Sequence, residues 1–331
     1  SENNLVELVR DIRSSSINDR TEFKTFAIDV DSSEFDAFCD HYKNYDFVLN
    51  LSALKHVRSE KDPFTLSRLI NVNIFNSVKI AKFCKKIKAK KYFCVSTDKA
   101  ANPTNMMGSS KKIMESFLMR ESDDLNISFS RFANVAFSDG SLLHGFDQRF
   151  LKNQPFSAPK DIKRYFISKS ESGELCLLST ILAENREIFF PKPGKNLKEI
   201  TFSEIAENYI SSKGFTPIIF NSEDEAKKSF DISIQEKKWP CYFFNSDTTG
   251  EKELEEFYTK DENLNLQKFE SIGVIQNNNI LDNNLLDNFE ASIYKWRNNP
   301  KWEKSELVQI FKEFLPEFVQ EEKGKDLDQK M

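Results

Sequence analysis

A chain of 331 residues, with 39% hydrophobic and 30% charged side chains, carries enough apolar material for a large buried core and has an ordinary globular composition. Its net charge of −5 gives no electrostatic reason to expect a nucleic-acid partner, and no run approaches the roughly 18 apolar residues of a membrane span. Five scattered cysteines without a C-x-x-C pair, and only three histidines, argue against a disulfide framework and against a metal centre. That usage suits a reduced, cytoplasmic setting.

Apolar residues at Leu5, Val6, Leu8, Val9 and Ile12 follow a helical spacing over residues 3–13. Residues 23–30 (FKTFAIDV) read as a short strand and residues 33–41 as a helix. The near-continuous apolar run at 45–51 (YDFVLNL) has the character of a buried parallel strand. A long helix is expected over 62–87, its basic end (KFCKKIKAKK, 82–91) coating a solvated face. A strand follows at 91–95, then a helix over 109–119 and a strand at 127–132. Strands alternating with helices at this pitch predict an α/β fold with a Rossmann-like, doubly wound parallel sheet. Ligands of such sheets bind at the carboxyl ends of the strands. Past residue 190 the Pro-Lys-Pro-Gly turn marks a change of character. The expected division is 1–190 for the sheet domain and 191–331 for a smaller C-terminal α/β lobe with a helical tail. In the second part, a helix is expected at 202–212, a strand at 216–220, a loop or linker at 276–288, and helices near 288–297 and 304–318. Residues 321–331 read as a frayed tail.

The most informative segment is Ser96 to Lys112, STDKAANPTNMMGSSKK, at a strand end leading into a helix. It resembles the S-T-D-K-A-x-N-P-T-N-x-M-G-x-[ST]-K segment of UDP-N-acetylglucosamine 4,6-dehydratases, polysaccharide-biosynthesis enzymes of the extended short-chain dehydrogenase/reductase superfamily. Other segments resemble the same family in the same order. Asp29-Val30 is similar to its adenine-side element, LSALKHV (51–57) to its A-A-A-L-K-H-V loop, and RFANVAFSDGS (131–141) to its R-F-G-N-V loop. Arg164-Tyr165-Phe166 resembles its R-Y-F element, and GEKELEE (250–256) its G-E-K-L-x-E-E.

The resemblance implies NAD or NADP as a tightly bound, recycled cofactor and a UDP-sugar as substrate, with no nucleic-acid or membrane partner and a homo-oligomer as an open possibility. It implies cofactor contacts from Asp29, Val30, Leu51, Ser52, Ala53, Lys55, Asn73 and Lys111, and substrate contacts from His56, Asn134, Ser141 and Arg164. Superfamily members usually place a proton-transferring tyrosine four residues before the lysine, and that position is Met107 here. Methionine cannot move a proton, so the acid–base work is expected from Thr97, Asp98 and Lys99. Lys99 can remove a C5 proton made acidic by a C4 ketone if its surroundings depress its pKa. Asp98 can protonate the departing C6 hydroxyl, and Thr97 can hydrogen-bond the C4 oxygen.

Two departures from the family pattern stand out. The family's arginine-proline pair before Gly-Glu-Lys is Thr248-Thr249, and no G-x-x-G-x-x-G segment occurs in the chain. Together with Ser at position 1, this leads to the expectation that the first βαβ segment is absent, that a sheet edge is open, and that the chain by itself binds the cofactor poorly. A C4 epimerase or reductase on the same fold, and a non-catalytic homologue, are the competing readings.

Overall fold

The computed structural model describes residues 2–15, 22–194, 197–246, 255–277 and 282–319. Two compact units are present, Ser1–Tyr45 and Asp46–Met331. The first contains helix α1 (Glu2–Ser14) and helix α2 (Ser33–His41), the latter capped by Ser32, whose hydroxyl accepts from the Phe35 amide. The strand expected at residues 23–30 does not form. No neighbouring strand satisfies its backbone among the described residues of this unit, and its apolar side chains turn to the helix instead. The Phe26 ring packs 5.1 Å from Phe38 and 5.2 Å from Tyr42.

In the second unit, β1 (Phe47–Asn50) leads through a 3-10 turn, Val57–Glu60, into α3 (Pro63–Ile70). Asp62 caps α3 by accepting from the amides of Phe64 and Thr65, both at 2.9 Å, and Pro63 takes the first helical position, where its missing N–H costs nothing. The long helix expected here is continuous but not uniform. A π turn, Asn71–Phe75, separates α3 from α4 (Asn76–Ile87). The basic run is only partly a solvated face: Lys82, Lys86, Lys88 and Lys90 are exposed, but Lys91 is buried and its ammonium donates to the Ala183 carbonyl.

Strand β2 (Lys91–Thr97) is followed by a 3-10 turn at Asp98–Ala100 and by α5 (Met106–Glu121). Next come β3 (Ile127–Phe132), β4 (Asn134–Val135), α6 (Leu142–Leu151), β5 (Phe156–Pro159), β6 (Lys163–Ile167), α7 (Lys169–Leu182) and β7 (Glu187–Pro191). After β8 (Glu199–Thr201), α8 (Phe202–Ser212) and β9 (Thr216–Phe220), the short helices α9 (Glu223–Lys228) and α10 (Phe230–Gln235) precede β10 (Lys238–Phe244). Strands β11 (Asn263–Asn265) and β12 (Ile272–Gln276) and helices α11 (Asn283–Arg297) and α12 (Lys304–Phe314) complete the described chain. Of the Asn-rich stretch read as a loop, Gln276 ends β12 and residues 283–288 open α11, which Asp282 caps by accepting from Asn284 N, while residues 278–281 lie outside the described residues. The tail expected at 321–331 lies outside the described residues.

The main sheet runs β1-β2-β3-β7-β12-β11. Its first four strands are parallel, as expected, and β12 and β11 continue it antiparallel. Nearly every residue of β2 and β3 is buried, as a strand covered on both faces must be. A second sheet, β5-β10-β9, is all parallel and carries its own core, in which Phe146 stacks on Phe156 at 4.8 Å and Trp239 on Phe150 at 4.6 Å. A third, β4-β6-β8, brings Asn134 into register with Phe166. Among the described residues no helix is long and apolar enough to cross a membrane, and the five cysteines are buried thiols outside any disulfide.

One buried charge network ties the carboxyl ends of these strands together. The Arg131 guanidinium has no exposed surface. It donates to both oxygens of Glu115, at 2.9 and 2.6 Å, to both oxygens of Glu262, each at 2.8 Å, and to the Phe257 carbonyl at 3.0 Å. Ser96 adds a 2.6 Å bond to Glu115, and Lys112 lies 3.4 Å from Glu262. Removing one partner of such a network leaves buried carboxylates uncompensated, which typically costs 3–5 kcal/mol. Arg131→Met should therefore lower stability by about 3–5 kcal/mol in urea-unfolding measurements, despite its similar volume and greater hydrophobicity.

Candidate functional site

The site is built where β2 ends. Thr97 is extended and caps the 3-10 turn, its hydroxyl accepting from the Lys99 amide at 3.4 Å. Helix α5 starts close behind this turn because residue 108 is glycine: a Cβ there would stand 2.5 Å from the Lys99 carbonyl oxygen. Asn105 caps α5 through Gly108 N at 2.8 Å, and the buried carboxylate of Glu60 accepts from Met107 N at 2.7 Å, where a negative charge meets the positive end of the helix.

Thr97 donates to Asp98 Oδ1 at 2.6 Å, and Lys99 Nζ lies 3.2 and 3.3 Å from the two Asp98 oxygens. Three of the expected residues, Lys99, Asn134 and Arg164, meet on a carboxylate to which the sequence reading gave no role. Glu255 Oε1 accepts from Asn134 Nδ2 at 2.6 Å and lies 3.4 Å from Arg164 Nε and 3.8 Å from Lys99 Nζ, while Oε2 accepts from the Tyr165 amide at 3.0 Å. The Asp98 and Glu255 side chains are each 3% exposed. Glu255 belongs to the G-E-K-L-x-E-E resemblance, which was the one signal that could have found it. Thr248, Thr249 and Gly250 lie outside the described residues.

The lysine expected to act as a base does not meet the condition set for it. Burial alone would lower the Lys99 pKa, but the Asp98 and Glu255 carboxylates outweigh it and hold the ammonium above the ordinary lysine value. Glu255 moves the opposite way from most surface carboxylates. Burial, reinforced by the Asp98 charge, pushes it up to about 7 against the pull of Lys99 and Arg164.

Lys111 contrasts with Lys99. Its side chain is buried, its ammonium lies 3.3 Å from the thioether sulfur of Met114, and burial depresses its pKa against the opposing effects of Cys94 and Glu115. A thioether is a weak acceptor, so this cation is poorly satisfied by the protein itself. Met107, four residues earlier on the first turn of α5, is buried too.

The loop after β1 is held in place rather than free. Asn73, fully buried in the π turn, accepts from Leu54 N at 2.9 Å and donates to Leu54 O at 3.1 Å and to Ser110 Oγ at 2.9 Å. It therefore pins the loop to α5, directly and through the residue next to Lys111. Within that loop Leu51 is exposed, Ser52 N donates to Asn50 Oδ1 at 3.1 Å, and Ala53 is half-buried. Lys55 donates to Ser138 Oγ at 3.1 Å and the His56 ring packs against Gly140. Burial lowers the pKa of both, with Asp139 opposing it at Lys55, and Lys55 and Arg58 adding to it at His56. Ser141 is engaged as the cap of α6, its hydroxyl accepting from His144 N at 3.1 Å. Asp29 and Val30 belong to the first unit, where Asp29 Oδ1 accepts from Asp31 N in the turn before α2.

Asn73→Ala removes both bonds to Leu54 and strands its half-buried backbone. The expected result is a stability loss of roughly 1–3 kcal/mol. Native-state hydrogen exchange should show the Leu54 amide losing protection more than the amides of β2.

The family described as polysaccharide biosynthesis protein matches residues 1–277 of this chain. The capsular polysaccharide biosynthesis protein CapD of Staphylococcus aureus is 29% identical over 277 residues, 82% of this chain and 42% of its own length. The UDP-N-acetylglucosamine 4,6-dehydratase (inverting) of Campylobacter jejuni subsp. jejuni is 24% identical over 319 residues, covering 89% of this chain and 88% of that protein. Among solved structures, Pen from Bacillus thuringiensis superposes with a TM-score of 0.65 at 22% identity, over 84% of this chain and 78% of that one, which is a likeness of fold. The first curated relatives are longer proteins: the chain spans 42% of CapD and 64% of an uncharacterized membrane protein of Methanocaldococcus jannaschii. With the match running across both the β2 turn and the segment that carries Glu255, the chain belongs to the family of polysaccharide biosynthesis proteins.

Proposed function

We propose that this protein carries the active site of a nucleotide-sugar 4,6-dehydratase acting on UDP-N-acetylglucosamine, in the making of a sugar for a surface polysaccharide or glycan. The observation that carries the reading is the Thr97-Asp98-Lys99 cluster at the carboxyl end of β2, with Asp98 buried and bonded to both neighbours. Elimination of water across C5 and C6 needs an acid and a base within reach of adjacent carbons, and this cluster has both. A Met at the usual tyrosine position speaks against simple oxidation and return at C4, as an epimerase requires.

The residues present fit a nicotinamide cofactor at Lys111. A buried ammonium whose hydrogen-bond partner among the described residues is a thioether sulfur is suited to ribose hydroxyls, and NAD or NADP bound there would accept and return the hydride. The rest of the cycle falls to this chain's own groups. Thr97 receives a hydrogen bond from the C4 hydroxyl and passes its proton along the 2.6 Å bond to Asp98. Asp98 gives that proton to the C6 oxygen as it leaves as water. Lys99, once its ammonium has given up a proton to solvent, takes the C5 proton and returns it to C5 while hydride arrives at C6. The sum is a 4-keto-6-deoxy sugar and one water. Asn134 and Arg164 are assigned to the uridine diphosphate, where a guanidinium grips phosphate oxygens in pairs.

The test is incubation with UDP-N-acetylglucosamine and NAD or NADP, read by chromatographic separation of the sugars followed by mass spectrometry. Loss of one water supports the dehydratase, an isobaric product would point to the epimerase, and an unchanged sugar would refute catalysis. Asp98→Asn and Lys99→Ala should each reduce turnover by about 10²–10⁴-fold, the usual contribution of a positioned acid or base.

A further inference from the structure

Glu255 stands in the one place where the proposed substrate would bring negative charge. Its carboxylate is shared by Asn134, Arg164 and the Tyr165 amide, with Lys99 at 3.8 Å. The groups facing it are Asp98 and Lys99 from the turn after β2, Asn134 from β4, and Arg164 and Tyr165 from β6. On its own segment, Glu256 is engaged elsewhere by Asn102, at 2.7 Å. The charges at the cluster balance two against two, Asp98 and Glu255 against Lys99 and Arg164. A doubly charged diphosphate arriving at Arg164 breaks that balance. With 3% of its side chain exposed, Glu255 cannot offset the repulsion by solvation.

We propose that Glu255 is a positioning residue that holds the anion-binding side chains in the ligand-free protein and takes up one proton when a nucleotide diphosphate binds beside Arg164. This rests on the assignment of Arg164 and Asn134 to the diphosphate. As a neutral acid, Glu255 keeps its bond from the Tyr165 amide or from Asn134 while its negative charge is gone. Lys99 is then relieved of one of the two carboxylates that hold its proton, which moves it toward the amine needed at C5. A carboxyl already pushed up to about 7 by burial and by Asp98 makes this uptake accessible near neutrality.

The sign of the linkage can be checked without ligand. A carboxyl whose folded-state value lies above its ordinary 4.5 costs stability when ionised. That cost is absent below about 4.5 and complete above about 7. Glu255→Gln should therefore gain stability relative to the native chain at pH 8 and not at pH 4.5, in parallel urea titrations. That comparison also verifies that the variant folds.

The coupling is measured by calorimetry of UDP-N-acetylglucosamine binding at pH 8 in buffers of different ionisation heat. The probe's phosphates are both esterified and do not titrate near neutrality. The native chain should take up close to one proton per ligand and E255Q close to none. E255Q should also bind about tenfold tighter, because a carboxylate with a midpoint near 7 must be protonated against about a tenfold excess of its ionised form at pH 8. Binding without proton uptake, or equal uptake by both proteins, overturns the proposal and leaves the dehydratase reading standing. A nucleotide sugar that does not bind overturns both.

Discussion

Arg131 lies wholly buried at the end of β3, with the Glu115 carboxylate bound along one side of its guanidinium and the Glu262 carboxylate along the other. A planar cation with five fixed donors can hold two carboxylates at set angles, which a lysine could not do. Each of these partners belongs to a different part of the site. Glu115 stands on α5, one turn beyond Lys111, and also receives Ser96 from β2. Glu262 lies seven residues after Glu255, and the Phe257 carbonyl between them is also bound by Arg131. Through one side chain the strand that leads to the Asp98–Ala100 turn, the lysine-bearing helix and the distant segment that delivers Glu255 are brought together. Burial of the ions is costly, and it is tolerated because every oxygen has a donor.

Two lysines twelve residues apart illustrate how packing alone sets chemical character. Lys111 is buried with its ammonium against the Met114 sulfur, and burial depresses its pKa despite Cys94 and Glu115, whereas Lys99 is flanked by carboxylates that hold its proton. Environments that push titratable groups apart are a recurring mark of acid–base sites. The raised Glu255 completes the pattern, since it is the member of the cluster whose charge is most easily changed near neutral pH.

Much of this was legible in the order of residues. The helices at Ser33–His41 and Phe202–Ser212 and the strands at Ile127–Phe132 and Thr216–Phe220 follow from period and caps, and they stand where they were expected. The parallel sheet follows from strands that are apolar throughout, and the Ser-Thr-Asp-Lys segment declares its place at a strand end. The expected strand at residues 23–30 failed because a strand is defined by its neighbour, which local pattern does not contain. The loop expected at 276–288 failed over residues 283–288 because asparagine-rich composition masks a helix that Asp282 caps and whose Phe289 packs on Phe117, Phe311 and Phe314.

What the sequence determined by itself was the chemistry available: an acid, an amine and a hydroxyl in a row, a lysine on the following helix, and a methionine where a tyrosine would serve. What only the tertiary structure decided was the company those groups keep. Glu255 is 157 residues from Asp98, and Asn73 is 19 from Leu54 and 37 from Ser110. Contacts of that span depend on how the sheet is wound and on which face each helix covers. No local spacing encodes them, and the pKa of a buried group is a property of exactly those neighbours.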